Sequence, residues 1–379
     1  MKIGLHYELA RPTLDTHLLF QETMAQVVLA DQLGFDYVWS VEHHFLTGFS
    51  ESTCPEVIHA AISQNTEQIR LGLGVIVLPY HNPVQVAERV ATLDHLSNGR
   101  VDLGTGRSAP YELTGMGIDP SNSREMWDES INIIPQIWQS DWFEFKGKYW
   151  NIPSRQILPK PYQDPHPPMW VACLQSSSYD IAAQKGIGVL AMGASDPRVL
   201  QPYIAKYHDD VKNANPIGGF VNPQWGTQTF AVCAESDREG RDLAGNMLKQ
   251  FFAPERPYTQ GAKDIYDKLL QQWGGVPDDL KQEFIRGSER YGEDGKQGTG
   301  EEINFIGHAA WDTLGPDTLC ERAVVIGGDP DGCIEALKKH EAAGADQILL
   351  VVQTDQVPHE TVMKSIELLG KYVLPEFKD

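Results

Sequence analysis

Short, continuous apolar runs alternate with amphipathic segments along almost the whole chain. "KIGLHYE" (residues 2–8) predicts a buried strand. "LFQETMAQVVLADQLG" then carries apolar residues at helical spacing up to Gly34, a predicted C-cap. "FDYVWS" follows as strand, "EVIHAAISQNTE" as helix, "IRLGLGVIVLP" as a long strand, and "PVQVAERVATLDHLSNG" as a helix ending at Gly99. "RVDLGTG" predicts another strand and "SREMWDESINIIPQIW" another helix. The rhythm resumes with "PMWVA", "SSYDIAAQKG", "GVLAMG", "DPRVLQPYIAKYHDDVKN", "QTFAVCAE" and "DREGRDLAGNMLKQFF". It closes with "DPDGCIEALKKHEAAGA", "DQILLVV" and "ETVMKSIELLGKYVLPEF".

The strands are unbroken apolar runs, and burial on both faces means a parallel sheet under helices. About eight strand–helix units over this length predict an α/β fold, a (β/α)₈ TIM barrel, with a doubly wound sheet as the alternative. Two segments interrupt the rhythm. The first, at about 141–168, is aromatic and Pro-rich with a hairpin-like "FKGKYW". The second, at about 253–313, contains the polar, Gly-rich "ERYGEDGKQGTGEE". Both read as insertions, after the fourth and seventh units, in a single domain over 1–379. Stretches this long within a domain are commonly functional lids or disordered.

Composition narrows the function. Thirty-one basic residues against 52 acidic ones give a net charge of −21, the wrong sign for tracking nucleic-acid phosphates. No apolar run nears the roughly 18 residues of a membrane helix. "MKIGLHYELA" is too short and polar for a signal peptide. The five cysteines are scattered, with no C-x-x-C spacing. The expected setting is cytoplasmic, without disulfides.

In a barrel, chemistry gathers where strands end. "SVEHHF" places Glu42, His43 and His44 directly after the second strand. Shared metal binding is the weaker reading, because adjacent histidines on an extended chain point apart and no HExxH spacing occurs. "GTGRSA" (104–109) imitates the dinucleotide fingerprint, yet Pro110 follows and the helical pattern resumes only near Ser123. The alternative use is better: glycines let a ligand approach the backbone, and Arg107 offers a phosphate clamp. "NSRE" begins a helix with Arg124 in its first turn, and "LQSSSYD" (174–180) opens one with three hydroxyls. Helix starts present free N–H groups, so these segments suit the phosphate of a ring cofactor, though serines there are also good caps.

Together these segments resemble the bacterial luciferase-like family of flavin-dependent monooxygenases. The resemblance runs through "GFDYVWSVEHHF", "LGLGVIVLPYHNPVQVAERVATLDHLSNGR" with its D-x-x-S-x-G-R segment, "GTGR", "DPSNSR" and "GADQILLVV". It implies a barrel that binds FMN, supplied reduced by a separate NAD(P)H:flavin reductase. It further implies use of O2 and a C4a-(hydro)peroxyflavin to oxygenate a small organic substrate. His43 matches the family's catalytic histidine. Arg107, Arg124, Gln175, Ser176 and Ser178 fall on phosphate-binding positions, and Gly74–Val75 falls where relatives carry a cis, non-proline peptide beside the flavin. A homodimer is the family's usual habit.

There are departures from luciferase itself. Its histidine before a proline is replaced by the order His81-Asn82-Pro83, and its reactive cysteine is Gly106. An acidic residue near its phosphate is Leu174 and a tryptophan near its ring is Gly193. Light emission from a long-chain aldehyde is therefore not expected. Two alternatives stand beside the monooxygenase: a deazaflavin-dependent dehydrogenase on the same fold and a non-catalytic flavin-binding protein. Of the two histidines, His43 is expected to face the mouth with a near-ordinary pKa of about 6.5. Glu42 is expected to turn with His44 into the scaffold, and His81 is the next candidate for the proton. Phe49, Trp142, Tyr149 and Trp311 are candidates for lining the pocket.

Overall fold

Strands apolar on both faces need cover on both, and the chain supplies it by closing them into a ring. The computed structural model describes residues 1–11, 15–174, 176–191, 194–251, 314–355 and 357–378. The ring runs β1 (Lys2–Tyr7), β2 (Tyr37–Ser40), β3 (Arg70–Val77), β4 (Val101–Gly106), β7 (Met169–Cys173), β8 (Gly188–Ala191), β9 (Trp225–Cys233) and β11 (Gln347–Val351). All neighbours pair in parallel, and β11 returns to β1 in the register Ile3↔Ile348. This is the expected (β/α)₈ TIM barrel. The helices around it are α1 (Thr16–Leu33), α2 (Pro55–Ser63), α3 (Pro83–Leu96), α4 (Pro110–Gly115), α5 (Ser123–Gln139), α6 (Ser176–Lys185), α7 (Pro197–Asp210) and α8 (Asp237–Phe251). Near the end come α9 (Pro316–Glu321), α10 (Pro330–Ala342) and α11 (His359–Leu368). Local signals set their ends: Asp15, Asn82, Asp196 and Asp329 cap helices by accepting backbone N–H groups, and Gly34 takes the left-handed turn that ends α1.

One apolar cluster fills the shell between strands and helices, and a second fills the barrel's interior. The inner one is Tyr37, Trp39, Trp170, Leu190 and Leu349, with Val75 packed against it. Trp39 meets Trp170 edge-on at 5.5 Å and donates its indole N–H to Gln347 Oε1 at 2.6 Å. Trp170 donates to Asp102 Oδ1 at 3.0 Å, beside the Arg70–Asp102 ion pair near the strands' N-terminal ends. Glycines make room for these rings. A Cβ on Gly72 would stand 2.1 Å from Trp39, and one on Gly188 2.4 Å from Trp170.

The D-x-x-S-x-G-R segment lies at the barrel's N-terminal end. Arg100, buried, donates to the carbonyls of Ser63, Thr66, Ile69 and Ser97 and to the Thr66 hydroxyl, and so caps the end of α2. Asp94 accepts from the backbone and side chain of Gln163.

Three details differ from the sequence reading or extend it. A short strand, β10 (Ile326–Gly328), pairs with the end of β9 outside the ring; its "IGG" is too brief to announce itself. The 141–168 segment contains an antiparallel hairpin of β5 (Phe143–Lys146) and β6 (Asn151–Arg155). Its turn is held to α5 by Glu129, which accepts the N–H groups of Lys148, Tyr149 and Trp150. The segment expected as a second insertion, 253–313, lies outside the described residues. Among the described residues no helix is long and apolar enough to cross a membrane.

The tight fit over Gly72 is testable. Gly72→Ala should lower stability by about 1–3 kcal/mol through overpacking against Trp39, measured as a drop in the urea midpoint with an unchanged slope. An unaltered midpoint would mean that the inner ring layer is loosely packed.

Candidate active site

The C-terminal ends of β1–β4 carry four short turns, and carboxylates tie them together. Glu42, just past β2 and only 3% exposed, sends Oε2 to the backbone N–H of Val77 at 2.6 Å. Its Oε1 faces His81 Nε2 at 2.6 Å and His44 Nε2 at 3.1 Å. Burial works to raise the Glu42 pKa, but the hydrogen bonds from His44 and His81 prevail and hold it below the ordinary carboxylate value. Glu42 and His44 therefore brace β2 against β3, as expected.

His43 turns the other way, with its side chain 28% exposed. Its Nδ1 lies 3.1 and 3.3 Å from the two oxygens of Glu112, and its Nε2 lies 3.6 Å from Glu8 Oε2. Phe49 presents its ring edge-on at 5.9 Å. Glu112 stands on α4, whose first residue, Pro110, reads in sequence as a break but serves as a helix start. The same carboxylate accepts the His44 N–H at 2.7 Å and the Ser108 hydroxyl at 2.6 Å. Glu8 continues the inward face of β1 beyond His6. Its Oε1 lies 3.3 Å from His6 Nε2 and 3.3 Å from Gln228 Nε2, while Oε2 accepts no hydrogen bond.

This setting overturns the expectation of a near-ordinary histidine. Burial favours the neutral ring, but the charges of Glu112, Glu8 and Glu42 and the hydrogen bond to Glu112 raise the His43 pKa to about 9. The shift favours the imidazolium at neutral pH. Glu8 and Glu112 are both lowered: burial opposes ionisation, and hydrogen bonds and charge from the histidines outweigh it.

The opposite wall is formed by the ends of β3 and β4. Gly74–Val75 is a cis, non-proline peptide, at the position singled out from the sequence. A Cβ on Gly106 would meet Val75 Cγ2 at 2.6 Å, so β3 and β4 approach closely here. The register Thr105↔Val171 carries Arg107 toward Cys173, where its charge acts on a thiol that burial pushes up. Ser176 opens α6, with Ser178 in its first turn, and Arg124 sits in the first turn of α5. Arg124 and Ile181 of α6 line one cavity of about 910 Å³ between α5, α6 and the hairpin. Arg107 follows β4 and Ser176 opens α6 after the neighbouring β7, whereas Arg124 faces the outer cavity between α5, α6 and the hairpin. Gln175 and Gly193 lie outside the described residues.

The pocket-lining expectations fare unevenly. Phe49 is at the mouth, Tyr149 lines the outer cavity instead, and Trp142 is 64% exposed on the hairpin. Trp311 lies outside the described residues. Glu8 and Glu112 were missed, and only Pro110 at a helix start hinted at the second. Arg107 near the start of α6 suits a phosphate, and the glycines at 74 and 106 let β3 and β4 approach closely beside Val75. The unsatisfied Glu8 oxygen awaits a donor. A phosphorylated flavin fits this set.

Comparison with known proteins agrees. Residues 6–347 match the luciferase-like monooxygenase family. The oxygenase component of a flavin-dependent trigonelline monooxygenase from Acinetobacter baylyi is 32% identical over 368 residues, covering 95% of this chain and 91% of that one. The crystal structure of monooxygenase RslO1 from Streptomyces bottropensis has a TM-score of 0.76 at 23% identity, over the full length of both chains. The FMN-bound oxygenating constituent of 3,6-diketocamphane monooxygenase from Pseudomonas putida, a type II Baeyer-Villiger enzyme, has a TM-score of 0.71 at 20% identity. It covers 99% of this chain and 98% of that one. Enzymes dependent on coenzyme F420 share the fold as well. The structural likenesses show the barrel alone, whereas the sequence match shows the lineage: this chain belongs to the luciferase-like monooxygenase family, and it is a flavin-dependent monooxygenase.

Proposed function

We propose that the protein is the oxygenase component of a two-component system. It takes reduced FMN from a separate NAD(P)H:flavin reductase and uses O2 to oxygenate a small organic substrate. The observation that carries this reading is His43, held between two carboxylates at the mouth of a barrel whose third strand carries the cis Gly74–Val75 peptide. Gly74 and Val75 would lie against the ring. Arg107, Arg124, Gln175, Ser176 and Ser178 would hold the phosphate. Bound there, reduced FMN supplies the electrons that activate O2, one oxygen atom entering the substrate and the other leaving as water.

The chain's own residues do the rest. Glu42, His44 and His81 fix the turns that frame the mouth. Phe49, packed on Phe251 at 4.6 Å, keeps water from the His43 ring on one side. His43 holds a proton on Nε2 at neutral pH and can donate it to an oxygen in the mouth. Against hydride transfer to a deazaflavin stands the full-length relationship to an oxygenase component. Against a non-catalytic flavin binder stands the constructed histidine site.

The test is to mix the protein anaerobically with photoreduced FMN, add O2 and a substrate panel, and follow O2 uptake with product. Coupled uptake is expected. No binding of reduced FMN, or substrate oxidation without O2 uptake, would remove this reading.

Two variants locate the roles. Arg107→Ala should weaken reduced FMN about ten- to hundredfold, since a charge-assisted contact contributes roughly 1.5–3 kcal/mol. Riboflavin, lacking the phosphate, should bind almost unchanged; equal weakening of both would make Arg107 a structural residue. His43→Ala should keep FMN affinity while product falls by about 10²–10⁴-fold and hydrogen peroxide accumulates. Product near wild-type levels would take His43 out of the chemistry.

A further inference from the structure

We propose that Glu112 is the positioning residue of this active site: its carboxylate holds His43 by Nδ1 and so presents Nε2 to the barrel mouth. The proposal rests on the reading of His43 as the group that meets the reacting atoms. No family motif pointed to Glu112; the fold brings it there from α4, 69 residues along the chain.

Glu112 is 1% exposed, and both its oxygens are engaged. Oε1 accepts the His44 N–H at 2.7 Å and faces His43 Nδ1 at 3.1 Å. Oε2 accepts the Ser108 hydroxyl at 2.6 Å and faces the same nitrogen at 3.3 Å. The bond to the His44 N–H fixes the backbone of the turn that carries His43. The two contacts to Nδ1 fix the ring on that turn. Ser108 reaches back from a left-handed conformation, φ 64°, to complete the grip. A carboxylate that holds one imidazole nitrogen sets the ring's orientation and leaves the other nitrogen for chemistry.

That other nitrogen has no equal partner. Glu8 Oε2 stands 3.6 Å from Nε2, beyond hydrogen-bond range. The groups that bear on the ring are Glu112 from α4, Glu8 from the end of β1, Glu42 on its own turn, and Phe49 at its edge. Burial disfavours the charged ring, but the charges of Glu112, Glu8 and Glu42 outweigh it, with Glu112 foremost among them. Since the ionised ring is the donor, donation should be available at neutral pH and be lost as pH rises through about 9.

Glu112 could instead be a brace between two turns and nothing more. Glu112→Gln separates the roles, because the amide oxygen can still accept the His44 N–H while the charge is gone. The ring nitrogens of His43 are followed by NMR in ¹⁵N-histidine protein without flavin, the resonance being assigned by its loss in His43→Gln. Wild type should titrate near 9 with a low-field Nδ1 proton. In Glu112→Gln the midpoint should fall by roughly one to three pH units, and the alkaline limb of product formation should move with it. Glu112→Asp, which restores the charge, should recover part of both.

A wild-type midpoint near 6.5 would overturn the proposal with no variant needed. So would an unmoved midpoint in Glu112→Gln accompanied only by a lower melting temperature. The titration needs neither flavin nor substrate, so an absence of O2-coupled product would sink the oxygenase reading separately.

Discussion

A closed ring of eight strands encloses a space that side chains must fill, and this constraint shapes everything above it. Here two indoles occupy most of the inner layer, and they fit only because Gly72, Gly74 and Gly188 lie beneath them. The indole N–H groups, costly to bury unpaired, go to Gln347 and Asp102. With the middle filled by rings, the layer above is divided. The β3–β4 side offers Gly74, Gly106 and the Val75 side chain between them, while the β1–β9 side offers His6, Glu8 and Gln228. A flat ligand and a proton-bearing group can then sit side by side without competing for space.

Three carboxylates lie in or under that mouth, each almost fully buried: Glu8, Glu42 and Glu112. An unpaired buried carboxylate would be strongly disfavoured, so each depends on histidine nitrogens, backbone N–H groups or a hydroxyl. The dependence is mutual. Glu42 joins the β2 turn to the end of β3, and Glu112 joins the same turn to the segment after β4. The groups that frame the pocket are therefore the groups that set its charge. Mechanical and electrostatic order come from the same contacts.

The sequence carried the barrel well because apolar runs and helical spacing are local signals. Its eight main strands and the turn Glu42-His43-His44 could be placed from them; alternation along an extended chain meant that only one histidine could face the mouth, and the family resemblance selected His43. The Gly74–Val75 peptide came from resemblance; no local pattern would have shown it. Glu112 stayed hidden because its importance comes from a contact with the turn after β2, and spacing along a chain says nothing of such a meeting. The protonation of His43 escaped for the same reason: it depends on charges brought from β1 and α4. Tyr149 shows the converse error, an aromatic placed near the pocket by composition and carried to the outer face by the hairpin that Glu129 secures.

The grip of Arg100 on the end of α2 bears on how such proteins are told apart. This guanidinium and its neighbours Asp94 and Ser97 belong to one of the segments that carry the family resemblance, yet they stand at the foot of the barrel, away from the mouth. Their work is to hold a helix end and a loop in place, and that task is indifferent to which ring or which oxidant occupies the other pole. Signature and chemistry are therefore free to drift independently. A lineage can keep its foot unchanged while the mouth is rebuilt for another reaction, so kinship read from the foot names the scaffold and leaves the specificity to be read, residue by residue, at the opposite end.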